Sequence, residues 1–163
     1  MRRTAAATTS FIGIVVLMVL AVLLVVVGAA TPAAACSCAA TTDSAAFTAS
    51  DAVFTGRVKK VLTPERTGSS LDPAVWVFKV DRVYKGQVAR RQRITTPVSG
   101  ASCGLETRGP GRLLVFAGGV TGGPLPNPDP GSKLYKAGLC GGTRLAAQQP
   151  IPAGFGAGSR PTK

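Results

Sequence analysis

The sequence predicts a small, mainly β domain with one short helix and two disulfides, carried outside the cytoplasm. Three observations support this. A leader-like segment opens the chain, all four cysteines come after it, and the remainder alternates with a period of two and shows no helical stretch of any length.

The leader comes first. Arg2 and Arg3 precede an uncharged apolar run from Phe11 to Ala30, which Thr31-Pro32 breaks before Ala33-Ala34-Ala35. Positive, apolar and small-residue regions in that order read as a signal peptide over residues 1–35, with cleavage leaving Cys36 as the new N-terminus. About 20 apolar residues also suffice to cross a bilayer, so an uncleaved anchor is one alternative. Lipid attachment to Cys36 is another. The folded part is then secreted, or held on the outer face of the membrane by residues 11–30 or by lipid on Cys36.

About 128 residues remain, enough for one domain over 36–147 and a Pro/Gly-rich tail over 148–163 that is expected to be disordered. The chain carries 19 Lys and Arg against 7 Asp and Glu, and the leader takes away only Arg2 and Arg3. Such an excess favours anionic partners such as surface polymers, anionic lipids or acidic protein patches.

Cys36, Cys38, Cys103 and Cys140 are an even number in an oxidising compartment, which argues for two disulfides. Joining Cys36 to Cys38 across one residue strains the ring. The two surviving pairings both tie the N-terminus to two distant parts of the chain. Each bridge closes a loop of roughly 65–100 residues, worth about 4 kcal/mol in the chain-entropy model. An intrinsic metal is not expected, because the chain has no histidine and one tight cysteine pair plus two isolated ones is poor ligand spacing.

Along the domain, Asp43 is the expected cap of a helical turn over Ser44 to Ala49, with Phe47 as its apolar anchor. From Ala52 the period becomes two: Ala52, Phe54, Gly56, Val58 and Leu62 share one face, Thr55, Arg57 and Lys59 the other. A polar loop, Thr63 to Pro73, leads to a second strand from Ala74 to Tyr84 with Trp76, Phe78 and Val80 inward. Lys85-Gly86 turns the chain into a third strand, Arg91 to Val98. Gly100 to Gly104 is a turn carrying Cys103. The run Leu113 to Ala117 suits a central strand, and Gly118 to Gly131 reads as loop. Lys133 to Leu139 is a last short strand delivering Cys140. Five short strands with turn-rich connections suggest a small Greek-key barrel or sandwich.

Several of these pieces stand together in a telling order. Cys36-Ser37-Cys38 follows the cleavage site directly. Ala46-Phe47 and Ser50-Asp51-Ala52-Val53-Phe54 run into the first strand. Val83-Tyr84-Lys85-Gly86 precedes Thr96-Pro97 and Ala101-Ser102-Cys103-Gly104, and Leu113 to Gly118 leads on to Leu139-Cys140. Over about 110 residues this resembles the N-terminal domain of the tissue inhibitors of metalloproteinases (TIMPs), within the netrin-like (NTR) family. The chain departs from that pattern where Thr48, not cysteine, follows Phe47, and where Ala39-Ala40 stands in place of a proline.

The resemblance implies an OB-fold, a closed five-stranded barrel, and the pairings Cys36–Cys103 and Cys38–Cys140. It also implies a mechanism. The free amine and carbonyl of Cys36 would chelate the zinc of a target metalloprotease, and Ser37 would enter the protease's specificity pocket. Cys38 would anchor the strip, with Ser99 to Cys103 alongside.

Two other classes of function bear on the chain. Arg57, Lys59, Lys60, Arg82, Lys85, Arg90, Arg91 and Arg93 cluster on the first three strands and their turns, which makes a non-inhibitory binding module for anionic polymers or protein partners the alternative. Nucleic acid is disfavoured, because Phe54, Trp76 and Phe78 alternate against charged residues and belong in the core instead of on a stacking surface. Catalysis is not expected. There is no histidine, phosphate loop or nucleophile–base pair, and Asp43, Asp51, Glu65, Asp72, Asp81, Glu106 and Asp129 are scattered. No catalytic residue and no cofactor follow from the sequence.

Overall fold

A computed structural model describes residues 36–64, 68–106, 111–120 and 133–162, so the leader or anchor read in residues 1–35 lies outside the described residues. Among the described residues one α-helix, α1 (Asp43–Ala49), precedes six strands: β1 (Ala52–Leu62), β2 (Pro73–Lys85), β3 (Arg91–Pro97), β4 (Leu113–Gly119), β5 (Tyr135–Lys136) and β6 (Arg144–Leu145).

β1 runs antiparallel to both β2 and β4, and β2 is antiparallel to β3. β5 lies parallel to β3 and antiparallel to β4, which closes a five-stranded ring in the order β1-β2-β3-β5-β4. This is an OB-like barrel, with β6 added to β4 outside the ring.

The interior follows from the alternation. Phe54, Trp76, Phe78, Ile94, Val115 and Tyr135 face one another inside the ring. Phe54 meets Phe78 edge to face at 5.6 Å between centroids, an arrangement the ring quadrupoles favour. Gln92 is the largest of the buried polar side chains among the described residues, with Thr55 and Thr96 the others. Its amide donates to the carbonyls of Arg93 and Lys133 at 3.0 and 2.7 Å and its oxygen accepts from Ala89 N–H at 3.0 Å, so its burial leaves little unsatisfied.

β1 departs from a half-buried strand. Residues 52–56 are buried on both faces, because Val53 packs with Ala46, Leu114 and Phe116 in a second cluster beneath α1. The alternation toward solvent begins only at Arg57. The helix cap is also shifted from Asp43 to Thr42, whose hydroxyl accepts from Ala45 N–H at 3.2 Å. Asp43 instead sits in the first turn and binds Arg144 of β6. The last barrel strand is shorter than the alternation from Lys133 to Leu139 suggests, and Leu139–Gly141 forms a 3₁₀ turn. Gly86 has φ +80°, and a Cβ there would run into the Asp51 carbonyl, so the β2–β3 turn requires glycine.

The tail corrects the expectation of disorder. Ser159 exchanges backbone hydrogen bonds with Val83 at 2.7 and 3.0 Å, and Thr162 does so with Val88 and Arg90 at 2.9 and 3.0 Å. Phe155 stacks on Phe47 at 4.3 Å and lies 6.1 Å from Phe116. A Pro/Gly/Ala composition concealed two apolar anchors, Ile151 and Phe155, that complete the second cluster.

Candidate functional site: the disulfide-bound N-terminal strip

Three chain segments meet at one end of the barrel. The first is the strip Cys36-Ser37-Cys38, which lacks regular secondary structure. The second is the turn after β3. The Ser99 hydroxyl accepts from Ala101 N–H at 3.2 Å, a 3₁₀ turn covers Gly100–Ser102, and Cys103 adopts a left-handed φ of 58°. Cys103 is the one non-glycine residue with positive φ among the described residues, so this backbone strain is concentrated at the site. The third is the turn after β5, with Cys140 inside the 3₁₀ turn Leu139–Gly141.

The two turns are joined to each other. Leu139 N–H donates to the Cys103 carbonyl at 2.9 Å, and Gly138 passes so close to that carbonyl that a Cβ would sit 2.6 Å from its oxygen. The strip is bonded to both turns. Cys36 pairs with Cys103 and Cys38 with Cys140, with Cα separations of 5.2 and 5.0 Å. The bridges also touch, since Cys36 Sγ lies 3.6 Å from Cys140 Sγ. All four sulfurs fall within 4.8 Å of one another, although the spacing in sequence is poor for a metal site. Paired as disulfides they carry no thiolate, the form that binds a metal.

Within this frame Cys36 is half-buried, whereas Ser37 and Cys38 are exposed. The Ser37 side chain therefore stands in solvent between two covalent anchor points. Beside the knot runs a groove of about 700 Å³ between α1 and the barrel end. Ala45 and Ala49 line one side, Leu71 and Pro97 the other, and Cys103 and Cys140 form part of its wall. Lys136 is the charged residue lining it among the described residues. Leu71 is 69% exposed at its rim, an apolar side chain with little of its surface covered. The sequence reading missed this groove, since Ala45, Ala49 and Leu71 carry no chemistry and only the approach of α1 to the barrel end groups them.

Other sequence candidates lie apart from the knot. Lys85 is drawn away from any basic cluster, since its ammonium donates to the carbonyls of Phe47 and Thr48 at 2.8 and 3.0 Å and lies over the Phe47 ring. Asp51 accepts from Gly119 N–H at 2.6 Å, fastening the start of β1 to the end of β4. Asp72 accepts from the N–H groups of Gly68 and Ser69, a turn role. Phe54, Trp76 and Phe78 are in the core. No family model matches this chain, and no curated protein matches it.

Proposed function

We propose that the exported domain inhibits zinc metalloproteases through the chain end at Cys36. The observation that carries this reading is the exposed Ser37, set between two cysteines that are each disulfide-bonded to a separate turn of the barrel. A catalytic zinc holds three protein ligands and leaves a position for water or substrate. An unprotonated α-amine and the adjacent carbonyl can displace that water and chelate the zinc as two ligands, with the metal expanding to five-coordinate. The reference pKa of such an amine is about 8, so its neutral form is available near physiological pH. Rigid attachment of the strip reduces the ordering cost of binding. Ser37 then enters the pocket that receives a substrate side chain, and the apolar groove beside the knot offers further contact area.

The test uses protein that its host has processed to begin at Cys36, assayed against a panel of zinc metalloproteases. Active-site inhibition is expected, and acetylation of the Cys36 amine should weaken it by at least about 100-fold, since each tenfold is about 1.4 kcal/mol and the amine is one of two zinc ligands. Equal inhibition by the acetylated protein, or none from the free form, would overturn the reading.

A further inference from the structure

A second surface lies on the outer wall of the barrel. Strand register sets Arg57 opposite Lys79 and Lys79 opposite Arg91, three cations side by side across β1, β2 and β3. On the adjoining rung Lys60 and Arg93 flank Val77. The register shift between Val58 and Lys60 makes Lys59 an extra residue in β1, and both lysines of that bulge are exposed. Adjacent strands are about 4.8 Å apart and successive same-face residues about 6.8 Å apart, so these charges form a compact lattice.

Like charges directly opposite one another destabilise a sheet. Asp81 reaches Arg57 at 3.5 Å and Arg112 at 2.8 Å, and both arginine side chains are about half exposed, so solvent screens these pairs. Among the described residues no ion pair reaches Lys60, Lys79 or Arg91. Val77 is only 7% exposed although it faces outward, which fits coverage by the aliphatic stems of its long neighbours.

We infer that this face binds a linear polymer of tetrahedral oxyanions, with phosphate or sulfate groups strung along an extended chain. The cations span three strands and two rungs, so a chain of anions can meet several of them where a single small anion meets one rung. The guanidinium forks of Arg57 and Arg91 suit two-point contact with such groups. Recognition runs through charge and hydrogen bonds, because Phe54, Trp76 and Phe78 point into the core and Tyr84 packs in the second cluster beside Phe155, which leaves no ring of these strands for a base to stack on. The surface does not depend on the inhibitor reading, because none of its residues belongs to the disulfide knot.

The test titrates labelled long-chain polyphosphate and, separately, dextran sulfate into the protein as its host exports it. Each cation that displaces a counterion contributes roughly 0.7 to the slope of log affinity against log salt, so four contacts give a slope of about −3. The double variant Lys79→Gln/Arg91→Gln is expected to flatten that slope by about 1.4 and to weaken binding about 25-fold at 0.1 M salt. The single variant Lys85→Glu lowers the net charge by the same amount at the end of β2 beside α1, away from these rungs, and should change affinity no more than about threefold. The Lys79/Arg91 variant loses like-charge contacts and should melt no lower than the parent, which separates weak binding from misfolding. Preference for polyphosphate assigns a phosphate polymer and preference for dextran sulfate a sulfated one. An equal loss in Lys85→Glu and in the Lys79/Arg91 variant would reduce the effect to net charge. Binding to anionic vesicles with neither polymer bound would replace the polymer by a membrane surface. Either result overturns the proposal, whereas acetylation of Cys36 should leave polymer binding unchanged.

Discussion

Phe155→Ala tests whether the C-terminal segment is part of the folded domain. Phe155 sits on three rings, with centroids 4.3 Å from Phe47, 6.1 Å from Phe116 and 6.3 Å from Tyr84. Truncating a fully buried phenylalanine costs about 3–5 kcal/mol. Phe155 is half-buried, which reduces the transfer part, while the ring contacts add a fraction of a kcal/mol each. The expected loss is about 2 kcal/mol. With an unfolding entropy of about 2.1 cal/mol/K per residue over about 127 residues, that lowers Tm by about 7 °C. Calorimetry reads the shift. Amide exchange at Ser159 and Thr162, which bond to Val83 and Val88, should accelerate together in the variant. If Tm is unchanged and those amides already exchange freely in the parent, the tail is undocked and the reasoning fails.

Three further outcomes are expected. Replacing Cys38 and Cys140 by serine opens a bridge of sequence separation 102 and should lower stability by about 4 kcal/mol in denaturant titration; a loss below about 1 kcal/mol would mean that the first bridge already holds the knot. Arg144 grips both carboxylate oxygens of Asp43 at 2.8 Å, tying β6 to α1. Arg144→Lys keeps the charge but not the fork and should cost about 1 kcal/mol, and an unchanged denaturation midpoint would show that charge alone suffices. Tyr135 is 2% exposed, and burial is the largest cause that raises its phenol above the ordinary 10.0, with the Asp51 charge adding the smallest contribution. The neutral phenol is thus favoured in the folded state. Its contribution is complete below about pH 10 and is lost as pH rises through the folded pKa. Tyr135→Phe should flatten the alkaline decline of stability, at about 1 kcal/mol lower stability near neutrality because the Gln87 carbonyl loses its donor. A decline as steep in the variant would point to another group.

β1, β2 and β3 were legible from an alternation that sets one face inward, and β4 from the unbroken apolar run Leu113 to Ala117. Trp76, Phe78 and Val80 against Lys79 admit a single inward side, and the structure places them there. What stayed hidden depends on partners far away in sequence. Val53 reads as outward by period two, yet α1 covers it. β6 is two residues long, below any periodic signal, and exists because Leu113 and Leu114 offer it an edge. The tail was obscured by its small residues, although Ile151 and Phe155 are spaced to reach one cluster. The basic face was half legible. Strand positions group Arg57, Lys60, Arg91 and Arg93, but Lys85 is occupied elsewhere and Lys79, which that grouping omits, stands at the centre of the rung.

The knot at Cys36 has a topological origin that no local pattern carries. β3 and β5 are parallel neighbours, so the chain leaves both at the same end of the barrel. Each exit carries a cysteine within a few residues, Cys103 after Pro97 and Cys140 after Lys136. Two cysteines distant in sequence thereby come within a sulfur contact of 3.5 Å, close enough for the pair in Cys36-Ser37-Cys38 to reach both. The position of Ser37 is therefore set by the register of a two-residue strand. Ile94 opposite Tyr135 and Thr95 opposite Lys136 define that register, and Ala137 N–H extends it by donating to the Thr95 carbonyl at 3.1 Å. A slip of one residue would turn the Tyr135 ring out of the core and move Cys140 away from the strip. Burial of one tyrosine in the barrel thus holds the exposed serine at its rim.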